Sequence, residues 1–294
     1  MNPLQTLTQI NLDDLISSFG WQNQPLLVRA LRTVFYKPAL RFAEIMMEFD
    51  LAIKSHGLVQ ASQLTQNLFV RDIRVFGLDH LPDSAFLALS NHPGVTDTLS
   101  LFCALNRPDL KIIALERPFL KTLPNMSKHL FYLKEDVASR ISLVRQVATC
   151  LRAGGAVLTF PAGQIEPDPA IYEGAANSLT IWTDSVGAFI RMAPETVVLP
   201  VLVRHVIWEK TAKHPLLKLR KTRDEKEKLA AALQLLAMVM WNNRPVTVTV
   251  QIGRPIDPKQ LGTTKTQIIH QAVLGEMKSL IDSPPLGESI SVLR

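Results

Sequence analysis

Residues 85–98 read Ala-Phe-Leu-Ala-Leu-Ser-Asn-His-Pro-Gly-Val-Thr-Asp-Thr. The opening five residues form an unbroken apolar run, the pattern of a strand buried on both faces. Beyond the stretch, Leu99, Leu101, Phe102 and Leu105 recur at helical spacing. Between strand and helix stands Pro93-Gly94, where proline fixes φ and glycine accepts positive φ. The segment therefore reads as strand, tight turn, helix. From Ile73 onward the chain repeats this alternation of short apolar runs with helical stripes, the mark of an α/β architecture. Strands are expected at 73–76, 85–89, 111–115, 130–133, 156–160, 197–203 and 246–252. The fold class is α/β: a mixed, mostly parallel sheet flanked by helices, with an N-terminal helical module.

The same stretch places His92 at the end of a strand and Asp97 in the first turn of a helix, five positions apart. A strand end is a rigid platform, and the loop after it exposes what it carries. A carboxylate beside an imidazole fixes its tautomer and stabilises the imidazolium, which is what a general base needs near neutral pH. Asn-His-Pro-Gly is also ordinary turn chemistry, so on this segment alone the two readings stand level.

A second junction has the same form. Residues 155–163 read Gly-Ala-Val-Leu-Thr-Phe-Pro-Ala-Gly, an apolar strand that ends in a Pro/Gly turn. Two such junctions can meet at one edge of a sheet, where α/β proteins bind ligands. Asn91-His92-x-x-x-x-Asp97 together with Phe160-Pro161-x-Gly163 resembles the glycerolipid acyltransferases, which include the glycerol-3-phosphate and lysophosphatidate acyltransferases. Val197-Val198-Leu199-Pro200-Val201 and Val248-x-Val250-x-Ile252-Gly253-x-Pro255-Ile256 follow in the family's order, so the resemblance runs over residues 73–280.

The resemblance implies transfer of a fatty acyl group from a thioester, on acyl-CoA or acyl carrier protein, to an acceptor hydroxyl of a glycerolipid or lysophospholipid. His92 is then the base and Asp97 its orienting partner, with direct attack and no acyl-enzyme. The chain has no Gly-x-Ser-x-Gly elbow for a covalent serine route. The oxyanion is expected to meet backbone N–H groups near Gly94 or a cation. Substrate contacts are expected from Asn91, Gly94, Phe160, Pro161, Ala162, Gly163 and Gln164, with Lys134 and Arg140 as phosphate cations and Arg145 as a further one. No cofactor and no metal are implied; the other histidines, at 56, 80, 129, 205, 214 and 270, show no ligand spacing.

The chain departs from the family in the acceptor block. Many members carry Glu after Phe-Pro, then Gly-x-Arg; here these two positions are Ala162 and Ile165. That Arg is associated with the acceptor's phosphate, and isoleucine cannot make its paired charged hydrogen bonds. Glu166 and Asp168 add negative charge instead. Where the family has Gly, apolar residues and Arg, this chain has Phe131 to Lys134, with Glu135 beside the lysine. Two rivals follow: an acyltransferase of the same fold acting on a non-phosphorylated acceptor such as an aminolipid or glycolipid, and a lipid-binding protein with a drifted site.

Composition bounds the rest. In 294 residues, 47% hydrophobic content is enough for a sizeable core. A net charge of +6 favours anionic lipid or phosphorylated small molecules, while 6% aromatic content and the lack of a recognised motif argue against nucleic acid. Cys103 and Cys150 lie in apolar helical surroundings and read as free thiols of a reducing compartment. No uncharged apolar stretch reaches the roughly 18 residues of a spanning helix, and Met1 to Gly20 has no basic start, so no secretion signal is read there. The expected location is cytoplasmic, peripheral on the inner face of a membrane.

The chain divides into a helical module, 1–70, and an acyltransferase-like α/β domain, 71–294. In the first, Leu27, Ala30, Leu31, Val34 and Phe35 form one stripe, and a second helix with Phe42, Ile45, Met46, Phe49 and Ile53 inward starts at Pro38 and ends at Gly57. Later helices are expected over 137–151, capped by Asp136; with Leu229, Leu233, Leu236 and Met240 on one face; and after a Thr264/Gln267 capping box, with Ile269, Val273, Met277 and Leu280 inward. The tail beyond Pro284 reads as loose.

Overall fold

A computed structural model describes residues 2–20, 25–94, 96–134 and 136–293. Three helices come first: α1 (Pro3–Phe19), α2 (Pro25–His56) and α3 (Leu58–Phe69). The strands and helices of the sheet follow as β1 (Asp72–Phe76), β2 (Phe86–Ser90), α4 (Asp97–Leu105), β3 (Lys111–Leu115), α5 (Pro118–Lys121), α6 (Pro124–Ser127), β4 (Leu130–Leu133), α7 (Val137–Arg152) and β5 (Ala156–Thr159). The last third holds α8 (Val186–Met192), β6 (Val197–Arg204), α9 (Glu209–Ala212), α10 (Arg223–Trp241), β7 (Thr247–Ile252), α11 (Thr266–Asp282) and β8 (Ile290–Ser291).

The eight strands make one sheet in the order β4-β3-β5-β2-β6-β7-β1-β8. Pairings from β4 through to β6 are all parallel, as is β1 with β7. Antiparallel pairs occur at β6–β7 and β1–β8. The sheet is therefore mixed and mostly parallel, and helices cover both faces. Side chains alternate along each strand, and the two sets go to different cores. From β2, Phe86 and Ala88 join Phe49, Leu58, Leu101 and Phe102 on one face. Leu87 and Leu89 join Val147, Phe189, Ile269 and Val273 on the other. Burial on both sides explains why these strands read as continuous apolar runs rather than as alternating ones.

The expected strands agree with these elements to within a residue at each end. The helices diverge more. Residues 25–56 form one helix with Pro38 inside it, not two. Proline removes one intrahelical bond, but contacts on both sides of it offset that loss: Phe35 stacks on Phe19 at 5.1 Å, and Ala39 is buried against Leu12 and Ile16 of α1. Ala30 and Val34 of the expected stripe face solvent instead. Met240 is also exposed, in the last turn of α10. The Thr264/Gln267 box does not form, since α11 starts at Thr266 with Lys265 at its N-cap. A capping box does close the start of α10, between Thr222 and Glu225. The tail is not loose throughout: β8 pairs with the edge strand β1, Ser291 Oγ bonds the Asp72 carboxylate, and Gln63 Nε2 donates to Val292 O.

Parallel pairing has one consequence for function. The C-terminal ends of β2, β3, β4, β5 and β6 all open on the same edge of the sheet. His92 leaves β2 there and Phe160 leaves β5, its immediate neighbour.

Candidate active site

The chain leaves β2 through Asn91, whose side chain turns to the neighbouring strand β6. Its Nδ2 donates to Val203 O at 2.9 Å and its Oδ1 accepts from Val203 N–H at 2.8 Å. The amide thus copies a backbone ladder rung and prolongs the β2–β6 pairing by a residue. With Asn91 pinned, His92 is the first side chain free to turn out of the sheet.

His92 Nδ1 lies 2.7 Å from Asp97 Oδ2. Asp97, almost wholly buried, is the first residue of α4, where unpaired backbone N–H groups favour a negative charge. Its Oδ2 also accepts from Gly94 N–H at 2.7 Å, and its Oδ1 from the amide and hydroxyl of Thr98. Together these donors fix the direction of the carboxyl group. Gly94, at φ 91°, makes the turn possible. Behind the loop, Gln66 of α3 donates to Thr96 O at 2.6 Å and to Ser100 Oγ at 2.8 Å. On the open side, the Phe160 ring stacks on the imidazole, centroids 4.4 Å apart and planes 17° from parallel.

The His92 side chain is 28% exposed. Its Nδ1 is engaged, and Nε2 has no partner among the described residues. Burial works against a charge on this ring. The Asp97 carboxylate, through its charge and its hydrogen bond, with the Glu166 charge behind it, outweighs burial against the opposing Arg117 charge and holds the imidazole above its ordinary value. Among the described residues no three metal-ligating side chains gather.

The remaining expected residues divide. Pro161 is buried, Ala162 packs on the second core, and Gly163 and Gln164 are exposed in the turn after β5. Gly94 N–H is committed to Asp97, so it is not an open oxyanion donor. Lys134 and Arg140 are not brought to His92. Lys134 follows directly on β4, a strand three places from β2 or roughly 14 Å at the usual strand spacing. Its ammonium lies 3.7 Å from Glu116, and Arg140 Nε donates to Lys134 O at 3.5 Å. Arg145 is exposed on α7, and Glu135 lies outside the described residues. Arg117, the N-cap of α5 just beyond β3, is the exposed cation whose charge reaches the ring.

Glu166 and Asp168, read from sequence only as added negative charge, are both buried. Glu166 Oε2 accepts from His92 N–H at 3.0 Å, and its Oε1 accepts from Trp182 Nε1–H at 2.8 Å and Ser178 Oγ–H at 2.9 Å. Asp168 accepts four backbone N–H groups, from Ala170, His205, Val206 and Ile207. The sequence did hold a signal. In Glu166-Pro167-Asp168-Pro169 each acid precedes a proline, which favours extended backbone there.

Known proteins resemble this chain in part. Residues 72–204 match the family model described as Acyltransferase. No curated protein sequence matches the chain. Among solved structures, the chain is similar to the 1-acyl-sn-glycerophosphate (LPA) acyltransferase PlsC from Thermotoga maritima, at 18% identity, 94% of this chain and 97% of that chain covered, and a TM-score of 0.43. The matched segment begins on the first residue of β1 and ends on the last residue of β6, so it encloses both strand-to-turn junctions. Residues 72–204 of this chain are thus similar to the Acyltransferase family.

Proposed function

We propose that the protein moves a fatty acyl group from an acyl thioester, on CoA or acyl carrier protein, to a hydroxyl of a glycerolipid or lysophospholipid, with His92 as general base and Asp97 as its orienting partner. The observation that carries this reading is the 2.7 Å contact from His92 Nδ1 to Asp97, with Nε2 left open at the sheet edge. The acceptor hydroxyl gives its proton to Nε2 as its oxygen forms a bond to the thioester carbonyl carbon. The tetrahedral intermediate then breaks its C–S bond, and the imidazolium returns the proton to the departing thiolate. No enzyme atom is acylated. Asp97 favours the step because its charge steadies the imidazolium while that charge exists. Since Gly94 N–H is occupied, the oxyanion falls to a cation, and Arg117 is the one whose charge is felt at the ring.

One observation favours the second reading, a non-phosphorylated acceptor. A Cβ placed on Gly94 would sit 3.2 Å from Ile165 Cδ1. Ile165, at the position where the family carries its phosphate-associated Arg, therefore lies against the turn that holds His92, and this corner is apolar. The acceptors are separated by supplying acyl-CoA and acyl carrier protein donors with lysophosphatidate, a neutral lysophospholipid, an aminolipid and a glycolipid. Turnover of lysophosphatidate supports the leading reading, and turnover of only the acceptors without phosphate supports the second. Transfer to none of them overturns both.

Among the described residues no helix is long and apolar enough to cross a membrane. The first half of α2 nonetheless exposes Leu26 at 86% and Val34 at 66%, beside Arg29 and Lys37. Apolar groups edged by cations suit a surface of anionic lipid, and both acyl-bearing substrates partition there. We therefore place the protein peripherally on a membrane, with co-sedimentation on anionic vesicles as the test.

A further inference from the structure

Glu166 is tied to the proposed base from two sides. Its own backbone N–H donates to His92 O at 2.8 Å, and its carboxylate receives His92 N–H at 3.0 Å. The loop after β5 and the exit of β2 are thus clamped together at the residue that carries the imidazole. The carboxylate's other oxygen is held by Trp182 and Ser178. All three partners of the carboxylate are donors, which suits the acceptor-only ionised form. Desolvation raises its pKa, opposed by those same three donors and by the nearby imidazole.

We propose that Glu166 is a positioning residue of the acyl-transfer site, fixing the His92 backbone through its carboxylate and standing as a second negative charge behind the Asp97–His92 pair. This rests on the reading of His92 as the base. The groups that bear on the ring's charge are Asp97 from α4, Glu166 from the loop after β5, and Arg117 from the start of α5. The two carboxylates hold protons on the ring, and Arg117 opposes them. A general base must be neutral to act, so activity rises with pH through the His92 titration. Removing the Glu166 charge lowers that titration point and moves the acid limb of the rate profile to lower pH.

Glu166→Gln separates this role from simple support. Glutamine keeps the shape, but its NH2 must face either His92 N–H or the Trp182 and Ser178 donors, and the charge is lost. The expected result is a fall in kcat of about 10- to 100-fold, the scale of one charge-assisted hydrogen bond, with KM little changed and the acid limb shifted downward. NMR titration of the His92 ring should show the same downward shift. Glu166→Asp keeps the charge but withdraws it by one methylene, so kcat falls while the ring still titrates close to its wild-type pH. An unmoved His92 titration in folded Glu166→Gln overturns the proposal. If Glu166→Gln does not fold, the wild-type protein carries the test. The His92 backbone amide resonance should move as the carboxylate titrates, and a flat amide overturns the proposal. These NMR readings stand apart from catalysis: full activity in His92→Ala would remove the functional reading while leaving the Glu166–His92 coupling measurable.

Discussion

Asp97→Asn is the substitution with the sharpest consequence. The wild-type carboxylate accepts from the His92 ring and Gly94 on one oxygen and from Thr98 on the other. An asparagine of the same shape must aim its NH2 at one of these pairs. If it faces His92, Nδ1 must accept, the ring proton moves to Nε2, and the atom that should take the acceptor's proton is blocked. If it faces Thr98, the tautomer survives but two donors meet, and the charge that steadies the imidazolium is still gone. At about 4 Å between charge centres and an effective dielectric near 20, that attraction is worth about 4 kcal/mol. At about 1.36 kcal/mol per decade this is about a 10³-fold loss of rate. The same exchange in the serine-protease triad costs about 10⁴-fold, so about 10³ to 10⁴ is the expected range. The assay is thiol release from acyl-CoA with the acceptor that proves competent, across pH. Wild-type activity should climb through a group above 6.5, the ordinary histidine value, because the carboxylates favour the protonated ring and only the neutral ring accepts a proton. Folded Asp97→Asn working within tenfold of wild type would refute the tautomer argument.

Further expectations follow from the same geometry. Gly94→Ala should cost roughly 1–3 kcal/mol, because an L side chain is strained at φ 91°, and should lower kcat beyond its effect on stability because Gly94 N–H aims Asp97. Urea unfolding and turnover measured together decide this, with loss of stability alone as the contrary result. Asp168→Ala strips the acceptor from four backbone N–H groups, three of them at the end of β6, and should lower unfolding free energy by at least about 3 kcal/mol; a fall under about 1 kcal/mol would contradict the staple. Burial pushes the Cys103 thiol up to about 12, so it should stay unalkylated at pH 8 until the protein is unfolded. Mass spectrometry of the native protein after iodoacetamide treatment checks this, and modification of Cys103 would contradict it.

Legibility from sequence was uneven, and the reasons are physical. The strands were plain because burial on both faces writes an unbroken apolar run, as in Phe86 to Leu89. His92 and Asp97 were plain because their contact is local, five residues across one turn. Pro38 misled because its helical cost is local whereas the packing of Phe35 and Ala39 on α1 that offsets it is not. Asn91 kept its place in the motif but not its expected task, since its partner Val203 lies 112 positions away. Lys134 stands apart from His92 for a topological reason: order in the sheet, not in sequence, decides what lies beside the base. Glu166 and Asp168 passed only as added negative charge because their donors come from His92, Trp182, Ser178 and the residues just after β6. Long-range polar pairing leaves little trace in one sequence beyond the prolines that frame these two acids.

The central claim is that the His92 Nε2 lone pair removes the acceptor's proton, and His92→Ala tests it with the least intervening inference. The measurement is single-turnover acyl transfer from a bound thioester, on folded protein whose donor affinity is shown to be unchanged. A loss of about 100- to 10,000-fold, the range for general-base assistance, with donor binding intact, is the predicted result. Transfer at a rate within a few-fold of wild type would contradict it.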